Sequence, residues 1–550
     1  MIHAASIESA TVDEPFYLLS GYGYIKTGEL QFNVNHPPLS KLLSAAALLP
    51  LDLRVPTESP KWRSGDLSLG IPFLNRNRAS PDRIIFQARL PFVGLTLLFG
   101  AVLARWARAH FGPLTALTAV ALFSLSPGMI AHGHYATTDM VAVIFLFLAL
   151  LGWERYLRLG RGCNLLLAGV LLGLALCSKF STLILVVLLP ALSLLRWWQS
   201  PRDFSLVRFT GSMTGVLAAA AVTVGILYAP ETWRAFTAPG EMPKLNHVVD
   251  QSLPLAALVH RLSDHINVPA HAFLWGIYDQ IKHNQSGHDA YLLGSWSLTG
   301  WWYYFPIVLA VKTPVAVLLG MAGCTGFAAA WLIRGLRRGG IRRSRLRRIP
   351  FCWCLLVLPP VVFFAVSMTA QINLGHRHIL PVYPFLFVLI AAVLARRRWR
   401  FGVALVAILA LENAFIAPHY LAFFNIASGG SRQAMRYLVD SNLDWGQDLK
   451  KLAVWLGHHE VDDVCLAYFG PSDPGYHGID HRYVPTSADV ARHGLPDCVV
   501  AVSATLLAGL WNPPETYAWL RQRKPDGHVG YSIYLYDFRQ NAVAKQGSSD

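Results

Sequence analysis

The sequence predicts an α-helical polytopic membrane protein with a small extracytoplasmic α/β domain at its carboxyl end. Composition is the first reason: 54% of the 550 residues are hydrophobic and 14% are charged, with a mean hydropathy of +0.39, whereas a soluble globular chain carries about 25% charged residues. The second is that apolar stretches of roughly 17 to 25 residues, long enough to cross a bilayer, recur from residue 84 onward. The third is a change of character after residue 418, where these runs stop and short β-rich segments alternate with polar ones. The net charge of +15 does not indicate nucleic acid, because the arginines gather in short clusters between apolar runs, as topology-setting loops do.

Residues 1–84 form the first unit. No apolar core of signal-peptide length lies in 1–12. The stretch 13–41, DEPFYLLSGYGYIKTGELQFNVNHPPLSK, opens on the adjacent carboxylates Asp13 and Glu14 and closes on His36, Pro37, Pro38 and Lys41. Proline fixes its own φ and drives the preceding residue out of the helical region, so this closure is a rigid bend ahead of a short helix on the membrane surface. Acids held beside a membrane suit chemistry on a lipid-borne substrate. The plain alternative is that Asp13 and Glu14 cap a helix through Pro15.

Ten spans follow over 85–417, at about 85–104, 114–131, 139–155, 163–179, 181–196, 208–229, 306–333, 350–368, 379–395 and 401–417. Arg105 and Arg108 follow the first; Arg155, Arg158 and Arg161 the third; Arg196, Arg202 and Arg208 the fifth; the clusters at 334–348 and 396–400 follow the seventh and ninth. Every second loop is therefore basic and is assigned to the cytoplasm. The remaining loops, 13–82, 132–139, the turn at Lys179, 228–305 and 371–378, fall on the outer face with the tail after Pro418. An assignment made from arginines alone thus gathers the carboxylates, histidines and aromatic loops on one side. Ten crossings put both ends outside, and nothing in 1–12 can carry the amino terminus across.

An Asp-Glu pair, a Tyr/Gly-rich stretch and a basic or His residue before Pro-Pro resembles the first external loop of the GT-C superfamily, in particular the protein O-mannosyltransferase and aminoarabinose transferase group. The run Gly375, His376, Arg377, His378, followed by Leu380-Pro381 and Tyr383-Pro384, looks like a segment of bacterial members of that group. The resemblance implies a GT-C fold and an enzyme that takes a sugar from a polyprenyl-phosphate lipid on the outer face of the membrane. It also implies one more helix ahead of the Asp-Glu loop, which this sequence does not show. For individual residues it implies Asp13 as the general base, Glu14 beside it, and His36, where some relatives carry Lys, near the donor phosphate. Asp139 matches a second acid of the group.

In the loop HGHYATTD, His132, His134 and Asp139 stand at the mouth of a helix. Ionisable groups near a membrane interface are costly unless they face a cavity or a partner, which makes Asp139 a catalytic candidate and His134 a substrate-binding one. Helix capping by Thr138 or Asp139 is the alternative. Two carboxylates around one centre would raise each other's pKa, which suits one to act as a base. Cations on the outer face are few: Arg89, Lys179, Arg377 between His376 and His378, and Lys41 near His36. They oppose the positive-inside trend, and an anionic headgroup would explain them; snorkelling of a lone Lys is the alternative. The loop HNQSGHDAYLLGSWSLTGWWYYFP reads mostly as an aromatic belt, with His288 and Tyr291, and Tyr22 of the first loop, as candidates for contacts with substrate.

Beyond the last span, Asp440, Asn442, Asp444 and Asp448 have the alternate spacing of a calcium loop. However, Trp445 stands where the EF-hand needs Gly and no closing Glu follows, so a capped helix over 445–456 is the simpler reading. VCLAYFG, CVVAVSATL and YSIYLYDF read as strands with a helix around 516–523, which makes an α/β domain of about 425–538 within the unit 418–550; the last dozen residues read as disordered. Cys465 and Cys498 fall in these strands and are candidates for a disulfide in an oxidising compartment. Cys163, Cys177, Cys324, Cys352 and Cys354 read as small buried hydrophobes.

The expected protein is a multi-pass enzyme of the inner (plasma) membrane, with its catalytic loops and carboxyl-terminal domain in the periplasm. It moves a sugar from a polyprenyl-phosphate donor, with inversion, to an acceptor protein, glycolipid or glycan. No nucleotide-binding motif is present and a lipid-phosphate donor needs none. No cofactor is expected, and nothing in the residues indicates a divalent metal. The alternative is a transporter or flippase of lipid-linked saccharide, which would carry its acids and cations mid-helix along a pathway, whereas here they crowd helix ends.

Overall fold

A computed structural model describes residues 1–200, 205–237, 270–338, 346–395 and 398–539. Among these, seven helices are long and apolar enough to cross a membrane: Pro81–Phe111, Thr138–Leu159, Phe180–Gln199, Leu206–Leu227, Val315–Arg337, His376–Leu394 and Trp399–Ile416. Three shorter apolar helices, Pro113–Leu125, Gly162–Leu176 and Phe351–Ser367, stand at the other expected spans, and Leu39–Leu51 is the short helix behind Pro37-Pro38. Leu98, Leu117, Val187, Val222, Ile226 and Phe415 are exposed on these helices. Water would penalise such faces and lipid solvates them, so the chain is a multi-pass membrane protein.

Local chemistry sets the helix limits. Pro81, Pro113 and Pro127 each open a helix, where the missing N–H is unneeded. Gly160, in the left-handed region at φ 66°, closes Thr138–Leu159 by donating its N–H to the Tyr156 carbonyl. Two expected spans are interrupted: the run 114–131 breaks at Ser126-Pro127, and 306–333 breaks at Thr313-Pro314. The residue before each proline is extended (ψ 119° and 132°), because a helical conformation there would clash with the ring.

Helix Glu14–Thr27 lies across Leu39–Leu48. A side chain at Gly21 would collide with the Lys41 carbonyl and one at Gly23 with the Trp62 ring, so the Gly-Tyr-Gly run is what lets these elements meet.

After Ile416 the chain builds a five-stranded sheet in the order His481–Tyr483, Val464–Ala467, Val499–Ser503, Ile533–Asp537, Gly527–Val529. The first three strands are parallel and the last two join antiparallel. The three expected strands form its centre, and Cys465 and Cys498 are joined by a disulfide (Cα–Cα 6.0 Å). The two edge strands escaped sequence reading because each has three residues, too few for a period to show. The helix expected over 445–456 starts later, as Leu449–His458, and the one around 516–523 shortens to Ala518–Arg521. The last eleven residues, part of the loop 228–305 and parts of the two arginine clusters lie outside the described residues.

Candidate active site

Four residues far apart in sequence meet where helices begin. Asp13 precedes Glu14–Thr27, Asp139 lies in the first turn of Thr138–Leu159, Lys179 precedes Phe180–Ile184 and Arg377 lies in the first turn of His376–Val382. Arg377 Nη1 donates to Asp13 Oδ2 at 2.6 Å and stands 3.9 Å from Asp139 Oδ2. Lys179 Nζ donates to Asp139 Oδ1 at 2.6 Å. The Asp139 side chain is 0% exposed and that of Asp13 24%, so Asp13 is the acid an incoming group reaches first. Asp13 makes no side-chain cap bond, which removes the capping reading for it. The expectation that the two acids act directly on each other is corrected, since the Arg377 guanidinium stands between them. Buried Arg377 Nε has no hydrogen-bond partner among the described residues, and helix amino termini favour negative charge. The arrangement offers a reachable carboxylate beside cations that can hold an anion.

The carboxyl-terminal segment completes this centre. The Trp445 ring lies under the Arg377 guanidinium, 4.5 Å from centroid to carbon, and Trp445 is 1% exposed. The Trp445 carbonyl accepts from Val12 N–H and that of Gln447 from Ser9 N–H, both at 3.0 Å, so the backbone just ahead of Asp13 is held by the same segment. No spacing in the sequence links Trp445 to Arg377. Tyr17 was also missed, although it lies one turn beyond Asp13 on the same helical face. Burial, then the Asp13 charge, holds its phenol well above its ordinary value, so it stays protonated.

His36 packs edge-on to Tyr17 at 5.6 Å. Burial, followed by the charges of Lys179 and Lys41, pushes its imidazole well below the ordinary value, so a charge switching with pH is replaced by a neutral ring whose buried Nδ1 has no hydrogen-bond partner among the described residues. Burial likewise pushes His132 down to about 3. His378 stacks on Phe305 (6.3 Å) and lies within the field of Lys179, Arg377 and Asp139.

Other candidates lie elsewhere or are consumed by the fold. Glu14 and Arg89, expected in catalysis and phosphate binding, form a pair whose side chains are both 0% exposed. Arg89 spends all five N–H donors on the Glu14 carboxylate (2.8 and 2.7 Å) and the carbonyls of Ala5, Glu8 and Ser9. Against the upward push of burial, Arg89 holds the Glu14 carboxyl below its ordinary value. Lys41, expected at the phosphate, donates to the carbonyls of Asn33 (2.6 Å) and His36 (2.7 Å) and to Tyr24 Oη (3.3 Å), and so fixes the loop that carries His36.

The candidate substrate contacts are corrected in the same way. Tyr22 is buried and accepts from Leu53 N–H. His134 is buried between the Ile130 carbonyl and Glu8. His376, expected at the donor phosphate, has its Nε2 2.7 Å from Tyr383 Oη, and its backbone N–H donates to Asn442 Oδ1. His288 precedes and Tyr291 lies in the first strand of a two-stranded hairpin against the carboxyl-terminal region: His288 beside Trp511 (5.4 Å) and Tyr291 donating to the Met435 carbonyl. They join loop to domain and do not reach the cluster, because the hairpin pins them there. The acids spaced like a calcium loop bond inward: Asp440 to Trp511, Asp444 to Thr505, Asp448 to Ser532 and Lys451. No group of three or more His, Cys, Asp or Glu suited to a metal occurs among the described residues.

Fold and site together define a polytopic helical membrane protein with an acid–cation centre at the ends of its spans. Residues 82–228, which include Asp139 and Lys179 but not Asp13 or Arg377, match the family model of dolichyl-phosphate-mannose-protein mannosyltransferase. The match covers 147 of the 550 residues (82 to 228). A structure of ArnT from Cupriavidus metallidurans bound to undecaprenyl phosphate is similar with a TM-score of 0.46 and 14% identity over 97% of this chain and 95% of that one. Its apo form gives 0.31 and 13% over the same shares. The apo oligosaccharyltransferase of Archaeoglobus fulgidus gives 0.38 and 12%, over 92% of this chain and 68% of that one. Among curated proteins nothing matches.

Proposed function

We propose that this protein transfers a sugar from a polyprenyl-phosphate donor to an acceptor hydroxyl, with inversion at the anomeric carbon. The observation that carries the reading is the single guanidinium between Asp13 and Asp139, with Lys179 on the far side of Asp139. Asp13 takes the proton of the acceptor hydroxyl, whose oxygen attacks the anomeric carbon opposite the phosphate. The bond from that carbon to the phosphate oxygen breaks, and its electron pair leaves with the lipid phosphate. Arg377 and Lys179 stabilise the developing charge, while Asp139 holds both cations in place. A dolichyl-phosphate-mannose donor, as in the matched family's description, has this chemistry.

Orientation follows from charge. Arg105 and Arg108, Arg155 and Arg158, and Arg196 lie near the ends of the spans opposite the site, which supports a cytoplasmic side for those ends and a periplasmic one for the site. The Cys465–Cys498 disulfide supports an oxidising compartment for the carboxyl-terminal domain. The acids and cations stand at helix ends and not along a path through the spans, which favours an enzyme over a transporter or flippase. The test is Asp13→Asn in membranes supplied with labelled lipid-phosphate sugar. Release of lipid phosphate falls by roughly 10²-fold or more, the worth of a positioned base; full activity eliminates the assignment.

A further inference from the structure

A cavity of about 740 Å³ opens at the far end of the helix that starts beside Asp13. The helix Glu14–Thr27 has 14 residues, and at about 1.5 Å per residue it sets the cavity about 20 Å from Asp13. Trp62, Trp275, Glu29, Glu231, Arg63 and Arg234 are among the residues lining it. The Trp62 ring is locked in place: Phe32 stacks on it at 4.3 Å and its indole N–H donates to Glu29 Oε2 at 2.8 Å. Glu231 is 3% exposed, and its Oε2 accepts from Ala272 N–H at 3.0 Å. Its Oε1 has no partner among the described residues. A buried polar atom of that kind calls for a ligand or water to satisfy it. Burial pushes this carboxyl up, which favours a protonated group able to donate as well as accept. Leu30, on the cavity wall, also lines a narrow void reaching His36.

The half-buried Trp275 ring, carboxyl groups and planar guanidinium forks around one cavity are what a sugar ring needs: a platform for its C–H face and paired partners for adjacent hydroxyls. We propose that the cavity binds a saccharide segment of the acceptor, several units away from the hydroxyl that Asp13 activates, so the acceptor is a glycan chain. Its assignment to the acceptor rests on the proposed transfer reaction; saccharide binding itself does not. The transferred sugar cannot be the occupant, because its anomeric carbon must sit at Asp13, a helix length away.

The experiment is calorimetric titration of the full-length chain in detergent, without donor, using maltotetraose, mannotetraose and chitotetraose as neutral probes and tetragalacturonic acid as the acidic one. At least one binds, and binding weakens by about tenfold in Glu231→Leu, which removes the carboxyl donor and acceptor, and in the surface double variant Arg63→Ala/Arg234→Ala, which removes charge-assisted hydrogen bonds. Binding is unchanged in Asp13→Asn. An acidic probe that binds selectively identifies the arginines as the discriminating contacts, and a neutral one Trp275 and Glu231. No binding by any tetrasaccharide, or equal binding by the cavity variants, overturns the proposal. A chain that binds the probes but releases no lipid phosphate from a donor counts against the transfer reaction and leaves the cavity assignment standing.

Discussion

Asp13 and Glu14 are neighbours with the same terminal chemistry, and the fold gives them opposite tasks. Glu14 turns inward to a fully buried Arg89, and Asp13 turns to a partly open Arg377. Removing one member of a buried pair strands the other charge, which costs about 3–5 kcal/mol. Glu14→Gln therefore lowers the unfolding temperature and the folded yield strongly, and replacing Glu14 and Arg89 together by apolar residues recovers much of the loss. Asp13→Asn removes activity while shifting the unfolding temperature little. Equal thermal shifts in the two single variants, measured by fluorescence-detected unfolding in detergent, would contradict this division.

At the scale of elements, the site depends on a short segment beyond the last span. Asp440–Asn442 and the residues after it lie over the cluster: Trp445 covers Arg377 while its carbonyl holds Val12. The break at Thr313-Pro314 serves the same contact, because Lys312 at that helix end donates to the carbonyls of Leu421 (2.8 Å) and Asn442 (2.6 Å). A desolvated cation–π contact is worth about 0.5–2 kcal/mol, so Trp445→Leu lowers kcat roughly 3- to 30-fold. Trp445→Phe recovers part of the rate. A purely structural role predicts the two variants equally slow and equally destabilised, which paired rate and unfolding measurements resolve.

Across the whole molecule, the amino-terminal residues and the carboxyl-terminal domain share one buried polar network. Glu8 accepts from Tyr135 (2.7 Å) and pairs with His134 (3.0 Å) and Lys451, and Lys451 pairs with Asp448. Against burial, Lys451 and His134 hold Glu8 down to about 2. Its contribution to stability is complete above its unfolded value of 4.5 and is lost as pH falls towards 2. Asp444 has the opposite sign: burial pushes it up to about 7 from 3.8. Its unfolded form gives up the proton first, so stability is complete below pH 3.8 and declines as pH rises through about 7. Asp444→Asn therefore flattens the fall in unfolding temperature between about pH 4 and 7. An unchanged slope in the variant rules out Asp444 as the titrating group.

Much of this was legible in the chain because it is carried by local patterns. Apolar length marks the spans, and alternating β-rich runs mark three strands of the sheet, with Cys465 in one and Cys498 directly before another. Asp13, Asp139, Lys179 and Arg377 stood out as charged groups at helix ends, where their solvation demands explanation. What only the tertiary structure decided is which polar groups satisfy one another. Glu14 meets Arg89 across 75 positions, Asp13 meets Arg377 across 364, and Trp445 comes over the same arginine from beyond the last span. No periodicity encodes such partners, because their pairing depends on how helices pack and not on where each begins.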